Sequence, residues 1–151
     1  MKFSHLDADG TARMVDVSEK PVSRRTASAT AEIRLNRATV TAILDEALPK
    51  GDVLTVAKLA GINAAKANGS IIPLCHVVTL DHVDVDFTVL EDRVVARSTV
   101  VNTGRTGAEM EALAAAVGAT LGIYDMCKAV DKEMEIQNVR LLEKSKVEVT
   151  A

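Results

Sequence analysis

Apolar residues first recur at helical spacing where Val40, Ile43, Leu44, Ala47 and Leu48 share one face, which predicts a helix over 37–48. Asn36 stands at its N-cap position and Pro49 stops it. After the break at Lys50-Gly51-Asp52, a second helix is expected over 53–67, closed by Asn68-Gly69. The apolar run 71–76 contains Pro73, which suits a connecting loop or edge segment better than a central strand. The period then changes to two. Val83, Val85 and Phe87 alternate with Asp84, Asp86 and Thr88; Glu91-Asp92 turns the chain, and 93–99 alternates again, a β-hairpin.

Upstream, the alternation at 14–17 and the run 29–35 predict two short strands, and 135–142 predicts a last one. Between hairpin and last strand, the glycine-rich Thr103-Gly104-Arg105-Thr106-Gly107 leads into a helix expected over 108–130. Thr106-Gly107-Ala108-Glu109 fits a capping box. That helix is apolar nearly all round from 112 to 124, as expected of one buried on most faces. This order of elements implies an α+β fold: a ferredoxin-like sandwich with an antiparallel sheet and helices packed on one face. Residues 1–13 are mixed and polar and read as a flexible N-terminal arm; 14–151 read as a single catalytic domain.

Composition narrows the class. Two Phe, one Tyr and no Trp in 151 residues leave Ala, Val, Leu and Ile to fill the core. A short chain with such a core is expected to bury further surface between copies of itself. A net charge of −3 argues against a nucleic-acid-binding surface. The thirteen-residue apolar run at 112–124 is too short to span a bilayer. Cys75 and Cys127 form no disulfide framework and no signal peptide is evident, so a cytoplasmic protein is expected, with no membrane partner. Cys75, His76, His82 and Cys127 lack the spacing of a zinc site, and no metal site is expected.

Taken singly, the polar candidates are weak. Asp125 and Lys128 fall three apart on one helix face, where a terminal ion pair is the plain reading. They follow a stretch almost free of charge, however, which favours a cleft-lining role. Glu109 and Glu111 beside a glycine-rich turn and a helix start suit a polar ligand, with amides open to an anion.

In combination they are specific. Met14-Val15-Asp16-Val17-Ser18, Lys50-Gly51-Asp52, Ala60-Gly61-Ile62, Ile72-Pro73-Leu74-Cys75-His76, the stretch from Thr106 through Glu109-Met110-Glu111 to Leu113, and Ile123-Tyr124-Asp125-Met126-Cys127-Lys128-Ala129-Val130 occur in order. In these segments the chain resembles the molybdenum-cofactor biosynthesis protein C family, over residues 5–144. Val77 replaces the family's usual Pro, and Arg105 stands where Lys is frequent.

The resemblance implies conversion of 3′,8-cyclo-7,8-dihydroguanosine 5′-triphosphate to cyclic pyranopterin monophosphate with release of pyrophosphate, a lyase reaction. It implies Asp125, Lys128 and Lys50 as the catalytic group, and Leu74, Cys75, His76, Glu109, Met110 and Glu111 as substrate contacts. Cations at the triphosphate would come from Lys50, Lys66 and Arg105. No tightly bound cofactor is expected, with Mg²⁺ an option only on the substrate's triphosphate. The resemblance further implies a homohexamer, a trimer of dimers, with active sites at subunit interfaces. Two other classes fit the same residues: a ligand-binding module without catalysis, and a Schiff-base lyase using Lys50 or Lys128.

Overall fold

A computed structural model describes residues 5–7 and 9–149. The elements run β1 (Ser23–Arg34), α1 (Arg37–Leu44), α2 (Val53–Ile71), β2 (Leu80–Val89), β3 (Arg93–Gly104), α3 (Glu109–Cys127) and β4 (Glu135–Glu148). The sheet order is β2-β3-β1-β4, every pair antiparallel, with the helices covering one face. This is the ferredoxin-like β-α-β-β-α-β arrangement expected above.

β1 lies at the centre. Ala27, Ala29, Ala31 and Ile33 are buried at alternate positions beneath the helices, and Thr26, Ser28 and Thr30 occupy the other face. It starts six residues earlier than its apolar run indicates, because Ser23 through Ser28 are held by both neighbours. Its ladder with β4 is bulged between Thr30 and Glu32, where Asn138 adopts φ +53.

Small side chains set the spacing of the helix layer. α2 and α3 pack antiparallel, so that Gly61 meets Ala115 and Ala119, Gly118 meets Ala60 and Ala64, and Gly122 meets Ala57. Helix backbones this close leave no space for large residues, which accounts for the alanine- and glycine-rich run. By length and composition α3 is apolar enough to cross a membrane, longer than the thirteen-residue run alone indicates. Half of that window is buried inside the fold, and Glu111 lies within it.

Several boundaries differ from the sequence expectation. α1 ends at Leu44, four residues early, since Glu46 turns at φ +50; Leu48 is still buried, from the loop. α2 continues through Asn68-Gly69 to Ile71, because Asn68 is buried and hydrogen-bonded inside the fold. It stops where Ile72, the residue before Pro73, takes extended backbone. Residues 14–17 form no strand; they run alongside the 76–79 loop with Val15 as an anchor. β4 extends to Glu148 rather than 142 as an exposed edge strand.

Residues 1–4 and 8 of the expected arm, and 150–151 of the expected domain, lie outside the described residues. The described part of the arm is a short turn. Leu6 bridges Ala12, Arg13 N donates to His5 O at 2.9 Å, and Asp7 Oδ1 accepts from the amides of Asp9 (3.0 Å) and Thr11 (2.8 Å).

Candidate active site

Lys50 precedes α2 in a turn that Gly51 completes at φ +86, a conformation costly for other residues. Asp52 then caps α2, accepting from Thr55 N at 3.0 Å. Because α2 and α3 are antiparallel, this turn arrives at the C-terminal end of α3, where Asp125 and Lys128 project. Lys50 Nζ donates to Asp125 Oδ2 at 2.9 Å and to its backbone oxygen at 2.8 Å; Lys128 Nζ donates to Asp125 Oδ1 at 2.7 Å. The carboxylate is clasped between two ammonium groups.

The two hydrogen bonds, Lys128's first, hold the Asp125 carboxyl down at about 2. Asp125 in turn raises the Lys128 pKa, chiefly through that bond. Two lysines sharing a site are expected to repel and to lower one pKa; here the carboxylate between them reverses this for Lys128. All three side chains are about half exposed, between 44% and 58%. Ion pairs so exposed add little stability, which leaves a polar cluster open to a ligand.

The second group lies at the other end of the helix pair. Leu74, Cys75 and His76 occupy the loop after α2 and, with Met110 of α3 and His5, wall a cavity of about 310 Å³. His76 Nε2 donates to Val15 O at 2.7 Å, fixing its ring against the N-terminal segment. Glu111 is buried, only 2% exposed, and points inward. Its Oε1 accepts from Asn68 Nδ2 at 2.8 Å, whereas Oε2 has no partner. Asn68 Nδ2 also reaches Cys75 Sγ at 3.5 Å, so Asn68 links α3, α2 and the loop. Burial raises the Glu111 pKa; burial and then the Glu111 charge raise that of the Cys75 thiol.

Thr106 does not cap α3. Ala108 takes that position, while the Thr106 carbonyl accepts from Asn102 Nδ2 at 3.1 Å. Glu109 instead accepts from Lys144 Nζ at 3.1 Å, and these two, with Arg25 and Lys146, line a cavity of about 280 Å³. Three cations around one carboxylate leave a net positive site for an anion. Arg105 borders a different cleft of about 350 Å³ and donates to Lys20 O at 3.1 Å. Lys66 is exposed on α2 and lines none of these cavities.

Sequence patterns did not single out Arg25, Asn68, Lys144 or Lys146. The lysines do carry a signal, alternate positions on one strand face, but beyond the expected end of β4. Among the described residues no three His, Cys, Asp or Glu side chains come together as metal ligands.

The two groups cannot meet within one chain. Fifteen residues of α3 separate Met110 from Asp125, a rise of about 22 Å at ~1.5 Å per residue.

The model of the MoaC family matches residues 14–147. A cyclic pyranopterin monophosphate synthase of Oleidesulfovibrio alaskensis is 51% identical over 145 residues, covering 95% of this chain and 91% of the relative. Cyclic pyranopterin monophosphate synthase 1 of Mycobacterium tuberculosis is 52% identical over 146 residues, covering 96% and 86%. A molybdenum cofactor biosynthesis bifunctional protein of Chlorobaculum tepidum is 50% identical over 141 residues, 93% of this chain and 45% of that longer protein.

Proposed function

This chain belongs to the MoaC family, and from that premise we infer that it is a cyclic pyranopterin monophosphate synthase of molybdenum-cofactor biosynthesis. Its substrate is 3′,8-cyclo-7,8-dihydroguanosine 5′-triphosphate. The observation that carries this reading is the Asp125 carboxylate held between Lys50 and Lys128. The raised Lys128 pKa disfavours a Schiff base on that lysine, which needs a neutral amine.

The reaction has two demands. The guanine-derived ring must open and re-close, with protons delivered to and removed from nitrogen and oxygen atoms. Lys128, protonated beside Asp125, supplies one, and Asp125 sets its orientation. A sugar hydroxyl must also attack the α-phosphorus. A P–O bond forms there, the bond to the β-phosphate oxygen breaks, the hydroxyl proton passes to a base, and pyrophosphate leaves. Arg25, Lys144 and Lys146 supply positive charge for the triphosphate. Leu74, Cys75, His76 and Met110 wall the ring; Glu111, buried behind them, positions the loop through Asn68.

The 22 Å between the groups is resolved if a second copy supplies the Lys50–Asp125–Lys128 end to the first copy's cavity. Exposed Val56 and Leu59 on α2 and Leu121 and Tyr124 on α3 provide apolar surface for such an assembly, a homohexamer acting in the cytoplasm. The purified chain, given the cyclised GTP derivative, should release pyrophosphate and form the pyranopterin. Lys50→Ala and Lys128→Ala should nearly abolish this while the assembly stays folded. Absence of product from the wild-type chain would refute the assignment.

A further inference from the structure

The cavity at Cys75 and His76 has a further wall, contributed by the N-terminal segment. His5 lines it, together with Leu74, Cys75, His76 and Met110. The placement has local causes. Asp7 Oδ1 gathers the amides of Asp9 and Thr11, and Gly10 turns at φ +77. The Leu6–Ala12 bridge and the Arg13 N to His5 O bond then fold the segment back on itself. A few residues further on, Val15 O accepts a hydrogen bond from His76 Nε2, docking the segment that follows the turn beside the same cavity.

That bond also constrains the chemistry. A carbonyl oxygen only accepts, so His76 Nε2 carries its proton and spends it on Val15. One nitrogen of the obvious cavity histidine is thereby committed to holding the wall. The apolar sides, Ile72, Leu74 and Met110, suit a flat heteroaromatic ring, whose edge nitrogens need polar partners.

We propose that His5 is a further substrate-contacting residue, carried into the ring cavity by the N-terminal turn. The proposal rests on the synthase reading and assigns the contact to the purine-derived ring, not to the triphosphate. Its imidazole hydrogen-bonds a ring-edge nitrogen or oxygen, and the turn closes that side of the cavity against water.

The test uses the full-length assembly with its histidines labelled at ring Cε1. The chain has three histidines, His5, His76 and His82, so three resonances assign by single substitution. His82 lies on β2 away from this cavity and serves as internal control. Adding the cyclised GTP derivative to Lys128→Ala protein, expected to bind it without turnover, should shift the His5 and His76 signals and leave His82 in place. In an otherwise wild-type chain, His5→Ala should raise KM about tenfold, the usual scale for one lost polar contact, with circular dichroism unchanged. Asp7→Ala, which only unties the turn, should raise KM in the same direction, and His5→Gln should recover part of the loss. An unmoved His5 signal in the presence of bound substrate, or a His5→Ala KM within twofold of wild type, would overturn the proposal. Failure of the wild-type chain to turn over the substrate would count against the synthase reading instead, so the two outcomes are separable.

Discussion

The closeness of α2 and α3 makes Gly61 a sensitive position. A Cβ there would lie 2.7 Å from the backbone oxygen of Ala115, 3.0 Å from Val85 Cγ2 and 3.2 Å from Ala119 Cβ. The first neighbour is mid-helix backbone and cannot swing aside, so the helices must part by several tenths of an ångström. Helix propensity alone favours alanine over glycine by about 1 kcal/mol. Overpacking a tight core costs about 1–3 kcal/mol, and a backbone neighbour puts this site near the upper end. Gly61→Ala should therefore destabilise by about 1–2 kcal/mol, lowering the unfolding midpoint by roughly 2–8 °C for a domain of this size. Thermal circular dichroism at matched protein concentration measures it. Ala67→Gly on the exposed side of α2 gives the propensity term by itself, a loss of about 1 kcal/mol. A midpoint that rises in Gly61→Ala would refute the close-packing argument.

Two further outcomes follow from the site. Burial raises the Glu111 pKa above its ordinary 4.5; the stability this carboxyl contributes is full below that value and is lost as pH rises through the raised one. Thermal midpoints of Glu111→Gln and wild type should therefore diverge in favour of Gln as pH rises above the ordinary carboxyl range, and a pH-independent gap would show that Glu111 is not titrating in the fold. Lys144→Ala and Lys146→Ala should each raise KM with kcat nearly unchanged, as expected of cations that bind a phosphate in ground and transition states alike; a collapse of kcat would make either residue catalytic.

Much of this architecture was legible in the sequence because period and punctuation agreed. The hairpin of β2 and β3 is marked by strict alternation around Glu91-Asp92, and α3 by its length and small residues. What was not legible depended on partners distant in sequence. Asn68 reads as a helix stop beside glycine, yet it is a buried bridge from Glu111 to Cys75. Thr106 and Glu109 have capping-box spacing, but Lys144, 35 residues away, takes the glutamate. Asn36 holds the expected N-cap position without capping α1 through its side chain; its Nδ2 instead donates to the buried Asp131 at 2.9 Å. For the site, the resemblance identified Lys50, Asp125 and Lys128 as one group, and their hydrogen bonds lie within 3 Å. The cationic cavity was not legible because strand pairing, not sequence spacing, assembles it: Arg25 of β1 lies opposite Lys146 of β4, with Lys144 two residues along the same strand.

The most direct measurement of a shared active site mixes two defective chains. Lys128→Ala removes one group and His76→Ala the other, and each variant should be inactive in its own assembly. Unfolded together in equal amounts and refolded, they form mixed oligomers in which about one site in four joins two intact halves under random pairing. The mixture should then convert the cyclised GTP derivative at about a quarter of the wild-type rate. Mixed oligomers, verified by mass, that stay as inactive as their parents would contradict a site built from two copies of this chain.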